Sequence, residues 1–479
     1  MDGMHIEFVE ETWTTIELVN RMPLAESAFW LWREVFDEAR LQDLWGRYRG
    51  RCYEKVISFP TMVHLVADAL LQYRGSGRRS FEKNIEQKQL SASAAAAFGK
   101  LARLPTGLSQ GLLEEGTATL AELFPSYALR ELPASLREFE VLILDGKAIK
   151  KVAKRLKPLR GLPGGMLGGK ALVALQWTTG LAVAMQTHVD GEANENRLVG
   201  ELMPRLRALV PGPRLFVADR GFCDLVQTAR FTAETGDHFL VRYRRNTQFT
   251  VDPERKARKG KDARGYQYVE TWGWLGTESN KGRRYVRRIH LRRPDEDEDL
   301  VLITDLLDAD KYPASDLLTL YHERWGIEQL FQKVTEVFGL ARLIGGTPKA
   351  CIFQFALCLM LHNTVQALTG YVAEAQKCAP EDLSPEKLFD DLHEQLIAWS
   401  VFFEPAQTIL LFHDLPTKKE IMQRLRKALA HAWSDTWRKS PVQERHGSTH
   451  AHHGRCHGSV YRILKAHTEK TRPKVALTP

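Results

Sequence analysis

Three acidic residues stand where a packed core would not ask for charge, and their types define the chemistry open to them. Asp145 closes the apolar run "VLIL" and Asp219 closes "LFVA", each at the C-terminal end of an expected strand, where ligands and reacting groups of α/β sheets gather. Glu328 comes from an expected amphipathic helix, "YHERWGIEQLF" over 321–331, in which Tyr321, Arg324 and Glu328 are three and four residues apart and so share a face. A buried carboxylate without a partner is costly, and a divalent cation removes that cost. Two aspartates and a glutamate are hard oxygen donors, which suit Mg²⁺ or Mn²⁺ better than zinc, and a pair of such ions can activate a water or a 3′-hydroxyl in phosphodiester cleavage. Arg324 and Tyr321 then read as phosphate contacts, because a guanidinium matches phosphate geometry and a phenol adds one hydrogen bond. Taken singly, each aspartate reads equally well as a turn or capping residue, and Arg324 with Glu328 as a structural pair one helical turn apart.

The surrounding pattern supplies elements to position these groups. From Glu138 onward "FEVLILDGKAI" reads as a buried strand, "KALVALQWTTGLAVAMQTHV" as two β runs joined around Thr178, Thr179 and Gly180, "ENRLVGELMPRLRAL" as a helix and "RLFVADRGF" as a strand. "DLVQTARFTAETG" follows as a helix and "HFLVRYR" as a strand, giving β-β-β-α-β-α-β, the opening order of an RNase H-like fold. "YQYVETWGWLG", "RRYVRRIHLRR" and "LVLITDLL" then predict a β-rich stretch before the helix that carries Glu328. The chain is expected to be α/β: an RNase H-like catalytic core interrupted by a β-rich insertion and flanked by helical N- and C-terminal regions. The expected boundaries are 1–130 helical, 131–245 first part of the core, 246–311 insertion, 312–370 second part of the core, and 371–479 helical with a basic, His-rich tail.

At 479 residues the chain is long enough for two or three domains, and 44% hydrophobic with 26% charged residues is a globular composition. Six scattered cysteines form no disulfide framework and point to a reducing compartment. The acidic start "MDGMHIEFVEETWTT" has no signal-peptide pattern, and "CIFQFALCLMLHNTVQAL" is interrupted by Gln354, His362, Asn363 and Gln366, which argues for a core helix and against a membrane span. A cytoplasmic protein is expected. The net charge of +8 sits at the C-terminal end: from Thr417 onward there are 14 Lys and Arg against 4 Asp and Glu. A second basic run, "KAIKKVAKRLKPLRG", holds seven Lys and Arg between 147 and 160 with no acid, and reads as a loop that follows a nucleic-acid backbone.

With "LDGK", "ADRGF" and "YHERWGIEQLFQK" on the page, the chain resembles DDE transposases of the bacterial insertion-sequence-4 type, over roughly residues 85–370. The third block is the specific one, with its Tyr, Arg and Glu spacing and a tryptophan after the arginine. The resemblance implies Asp145, Asp219 and Glu328 as catalytic metal ligands for Mg²⁺ (Mn²⁺ substituting), with Tyr321 and Arg324 on DNA; the charge of the basic run adds Lys147, Lys150, Lys151, Lys154 and Arg155 as expected DNA contacts, and Lys333 lies near the position of the family's usual lysine. It also implies a tryptophan of the insertion, Trp272 or Trp274, as a stacking surface for a flipped base. Implied partners are transposon ends and target DNA, bound by a homodimer, with no membrane and no nucleotide cofactor. Implied activity is cut-and-paste transposition, and the alternative is a catalytically silent, transposase-derived DNA-binding protein. Two positions depart from the family pattern: Lys147 stands where Thr or Ser usually follows Asp-Gly, and Thr335 where a lysine usually stands.

Two further signals carry less. "GGMLGGKA" has phosphate-loop spacing, but Ala171 replaces the magnesium-binding hydroxyl and a strand follows instead of a helix. The histidines and Cys456 of the tail lack the spacing of a zinc finger.

Overall fold

The computed structural model describes residues 15–150, 152–294, 298–414, 416–439 and 458–471. The chain divides into two compact units, one formed by residues 130–149 and 169–332, the other by 1–129, 150–168 and 333–479.

The first of these holds a mixed α/β structure around one ten-stranded sheet in the order β3-β2-β1-β4-β5-β10-β9-β8-β6, with β7 also on β8. Its opening strands are β1 (Glu140–Ala148), β2 (Lys170–Gln176), β3 (Ala182–His188), β4 (Arg214–Ala218) and β5 (Asp237–Arg242). β1 is antiparallel to β2 but parallel to β4, and β4 is parallel to β5. Only those two pairings are parallel, and each needs a crossover, which explains why their strands read as near-continuous apolar runs: Val141 to Leu144 and all of β4 are buried. The helix Asn196–Leu209 buries Leu198, Val199, Leu202, Met203 and Leu206, the three-and-four spacing of a one-sided helix, and packs on β3. The order and sense of these strands are consistent with the RNase H-like expectation. The β2–β3 turn is tight because Gly180 takes φ +70° and donates its N–H back to the Gln176 carbonyl.

Beyond β5 the strands β6 (Phe249–Val251), β7 (Arg258–Lys261), β8 (Gln267–Leu275), β9 (Arg284–Leu291) and β10 (Leu300–Thr304) are all antiparallel, and β10 joins them to β5. Their join is stiffened by a buried ion pair. Arg287, fully buried on β9, donates its Nε to Glu270 on β8 at 2.7 Å and its Nη1 to the Tyr312 carbonyl at 2.7 Å.

The other unit is helical. Phe59–Leu71 starts at Ser58, whose hydroxyl accepts the Thr61 N–H, and Ala94–Leu101 starts at Ser93, which caps Ala96 in the same way. The helix Pro348–Gln376 is long and apolar enough to cross a membrane, yet 94% of its most apolar window is buried within the protein. Its interrupting polar residues explain this: Asn363 donates to Thr117 at 2.8 Å, and Gln354 accepts the Ile344 N–H at 2.8 Å while donating to the Arg342 carbonyl at 3.0 Å.

Replacing Arg287 with alanine strands the nearly fully buried Glu270 carboxylate. The expected cost is about 3–5 kcal/mol, read as a lower midpoint in urea unfolding followed by tryptophan fluorescence. The double replacement of Arg287 and Glu270 by methionine is expected to recover most of it.

Candidate active site

The register of three strands places the first two acids. Parallel pairing of β1 with β4 ends at Leu144 opposite Ala218, so Asp145 and Asp219 are the next residues of two neighbouring strands, about 5 Å apart in backbone spacing. β1 itself runs on to Ala148, paired with β2 alone. Asp145 thus sits within a strand and not at its end, at the point where one of its two neighbours turns away. Each carboxylate is braced by a backbone N–H: Asp145 Oδ1 accepts from Gly146 at 2.8 Å, and Asp219 Oδ1 accepts from Gly221 at 2.7 Å. Burial pushes the Asp145 carboxyl up to about 7; the Gly146 N–H works against this, and the negative charge of Asp219 adds to it.

The third block differs from the single helix expected of it. The helix Ala314–His322 stops, and a second, Trp325–Glu336, begins three residues later. Between them the N–H groups of Glu323, Arg324, Gly326 and Ile327 each bond back three residues and not four, which tightens the chain into a turn. Tyr321 therefore belongs to the end of one helix and Glu328 to the first turn of the next, with Arg324 at the corner. The three side chains still meet: Arg324 Nη2 lies 2.6 Å from Glu328 Oε1, and its guanidinium 5.8 Å from the centre of the Tyr321 ring. Tyr321 is 6% exposed, its hydroxyl finds no hydrogen-bond partner of sound geometry, and burial pushes its pKa up to about 12. Arg324 Nε is also buried without a partner. Both are donors of the kind that serve an oxygen-rich group.

Asp145 feels the charges of Asp219, Arg324 and Glu195, so two of the three expected acids come together and the third is held nearby by Arg324. Among the described residues no three His, Cys, Asp or Glu side chains are gathered as a ready metal cage. Asp219 borders a cleft of roughly 770 Å³ that also takes in Glu195, Arg220, Arg242, Arg244 and Arg245. None of these five was nominated from sequence. The arginines follow β4 and β5 at their C-terminal ends, the same signal that singled out the aspartates.

The remaining expected contacts scatter. Lys147 turns its ammonium to 3.5 Å from the Phe331 carbonyl. Trp272 is 1% exposed, gives its indole N–H to the Leu307 carbonyl at 2.9 Å and lies under Arg255, whereas Trp274 is 38% exposed with Arg283 over its face. Of the two, Trp274 is the one that reaches the surface, with Tyr285 edge-on to its ring. In the helical unit, Lys150 and Arg155 are exposed, Lys154 bonds the Leu162 carbonyl, and Lys333 sits 4.0 Å from Glu386. Lys151 and the His-rich tail around 446–457 lie outside the described residues.

Residues 138–364 match the Transposase DDE domain family. That stretch contains Asp145, Asp219 and Glu328, and the match supports the resemblance to DDE transposases. The comparison with curated proteins gave no match.

The raised Asp145 carboxyl has a consequence for stability. In the native state this group holds its proton more tightly than in the unfolded chain, so its contribution is neutral near pH 4 and grows more unfavourable as the pH rises toward 7 and beyond. Asp145→Asn keeps the acceptor for Gly146 and removes the titration. Calorimetry without divalent ions is expected to show little change in Tm from wild type at pH 4 and a more stable variant at pH 8, by at most about 4 kcal/mol for a shift near three units.

Proposed function

We propose that this chain is a metal-dependent transposase of the insertion-sequence-4 type that cuts transposon ends and joins them to target DNA. The observation that carries the reading is the placement of Asp145 and Asp219 directly after the last paired residues of β1 and β4, with the buried donors of Tyr321 and Arg324 nearby.

The donor set fits a divalent cation. The aspartates and Glu328 offer only hard oxygens, and a carboxyl raised by burial next to a second carboxylate is the environment such an ion relieves. Asp145 and Asp219 would hold it, with Glu328 completing the set. When bound, the ion supplies Lewis-acid activation of the attacking oxygen and stabilisation of the leaving one.

The protein's own groups do the rest. Asp145 and Asp219 are fixed by their backbone N–H bonds, so little reorganisation is needed to present their oxygens. Arg324 is the element that changes partner: a DNA phosphate competes with Glu328 for its guanidinium, and its unsatisfied Nε gives that phosphate a second donor. Tyr321 donates its buried hydroxyl to the same phosphate, and burial keeps it protonated at any working pH. The arginines of the cleft beside Asp219 draw the strand in. Trp274, the more exposed of the two tryptophans, would have to exchange the Arg283 guanidinium over its ring for an unpaired base. Lys147, Lys150, Lys154 and Arg155 would track the backbone, the helices before residue 130 would bind the ends, and pairing two ends calls for a homodimer.

The test is Mg²⁺-dependent nicking of a labelled duplex carrying the native element's ends. Wild type is expected to cut, and Asp145→Ala, Asp219→Ala and Glu328→Ala are each expected to lose at least about 10²-fold in rate while binding the duplex. A wild-type protein that binds the ends and cuts under neither Mg²⁺ nor Mn²⁺ would replace this reading with the silent DNA-binding descendant.

A further inference from the structure

Three neighbouring strands present charge at the same level of the sheet. β4 pairs in parallel with β5 as far as Ala218 and Val241, so Arg242 follows Val241 as Asp219 follows Ala218 and Asp145 follows Leu144. The row reads acid, acid, base. Arg242 and Arg220, the residue after Asp219, line the cleft beside Asp219 together with Arg244 and Arg245. These four arginines are engaged unequally. Arg244 and Arg245 are exposed and, among the described residues, make no ion pair. Arg242 and Arg220 converge on a single oxygen: Glu298 Oε2 lies 3.0 Å from Arg242 Nη2 and 3.6 Å from Arg220 Nη1.

Glu298 belongs to the segment that leads into β10, and its neighbours fix it there. Asp299 Oδ2 lies 2.7 Å from His290 Nε2, and Asp299 Oδ1 accepts the Arg293 N–H at 3.1 Å. The backbone is thus tied back to β9, and only the glutamate side chain has to move for the two arginines to be released. That side chain is 43% exposed, against 28% for Arg242 and 60% for Arg220, and ion pairs this open to water are held weakly. Only the Arg242 contact is a hydrogen bond, so the carboxylate satisfies the pair incompletely. A phosphodiester offers the same two guanidiniums two anionic oxygens.

We infer that Glu298 is an internal stand-in for a DNA phosphate: in the free protein it occupies Arg220 and Arg242, and a phosphodiester of the incoming strand displaces it and takes both guanidiniums. The inference rests on the reading that this cleft receives DNA. Arg244 and Arg245 have no carboxylate to release and meet the strand without that cost, whereas contact at Arg220 and Arg242, beside Asp219, requires the exchange. Glu298 thereby weakens every DNA complex that reaches the aspartates, and it does so through these two arginines and not through the net charge of the protein.

Fluorescence anisotropy of a labelled duplex carrying the native element's ends, titrated with the full-length protein at several KCl concentrations and without divalent ions, tests this apart from catalysis. Glu298→Gln is expected to bind about three- to tenfold more tightly than wild type. Replacing Arg220 and Arg242 together by methionine is expected to weaken binding and to lower the salt slope by about one to two. In that arginine-free background, Glu298→Gln is expected to bring no further gain. If the arginine variant binds more weakly but Glu298→Gln matches wild type, the cleft takes DNA and Glu298 is only a structural partner. A gain of equal size in both backgrounds marks a general charge effect and overturns the inference as well. If the duplex is not bound, or is bound equally well without the two arginines, the cleft does not receive DNA and both readings fall. Should Glu298→Gln fail to fold by circular dichroism, Glu298→Asp decides, since it keeps the charge but withdraws it by one methylene: tighter binding than wild type is expected, and equal or weaker binding overturns the assignment.

Discussion

Two like charges held side by side at the end of a parallel strand pair are the constraint around which the site is organised. β1 and β4 must pair in parallel register for the aspartates to be neighbours, and that register ends at Leu144 and Ala218, where β4 stops while β1 runs on beside β2. Parallel pairing in turn demands crossover helices, and the crossover into β4 is the one that delivers Glu195. The same topology therefore creates the charge crowding and supplies the groups that temper it: Lys170 from β2, and Arg324 from the corner between two helices.

Arg324 is held by opposing effects. Burial works against its charge, while Tyr321, Glu328 and Asp145 sustain it and raise its pKa. The guanidinium has one arm on Glu328 and a buried Nε without a partner, so it keeps a donor in hand. The bend at 323–326 is what makes this geometry possible. A straight helix through "YHERWGIE" would set Tyr321 and Glu328 in line with Arg324 between them; the turn lets Arg324 reach both from a corner.

The sequence was most informative where periodicity and burial agree. The run "VLIL" followed by Asp145, "LFVA" followed by Asp219, and the alternating β8 and β9 all became strands, because an apolar strand buried in a sheet is specified by its own residues. The polar residues within 351–368 rightly marked a core helix, since Gln354 and Asn363 each find partners inside the helical unit. What the sequence hid are features that depend on a partner far along the chain. The break after His322 was masked by good helical spacing. Trp272 and Trp274, two residues apart on β8, share the sheet face in sequence, yet one is sealed under Arg255 and Leu307 and the other open, because their cross-strand neighbours differ. Glu195 looked like any acid at a helix start, and only its ion pair with Lys170 and the missing side chain at Gly146 reveal where it points.

The proposed function requires a divalent cation seated between Asp145 and Asp219. Anomalous diffraction from crystals soaked in Mn²⁺ tests that most directly. A manganese peak within coordination distance of both carboxylates, about 2.0–2.2 Å for a hard divalent ion of this size, is the predicted result. Crystals that take up Mn²⁺ elsewhere and leave the two aspartates bare would contradict it.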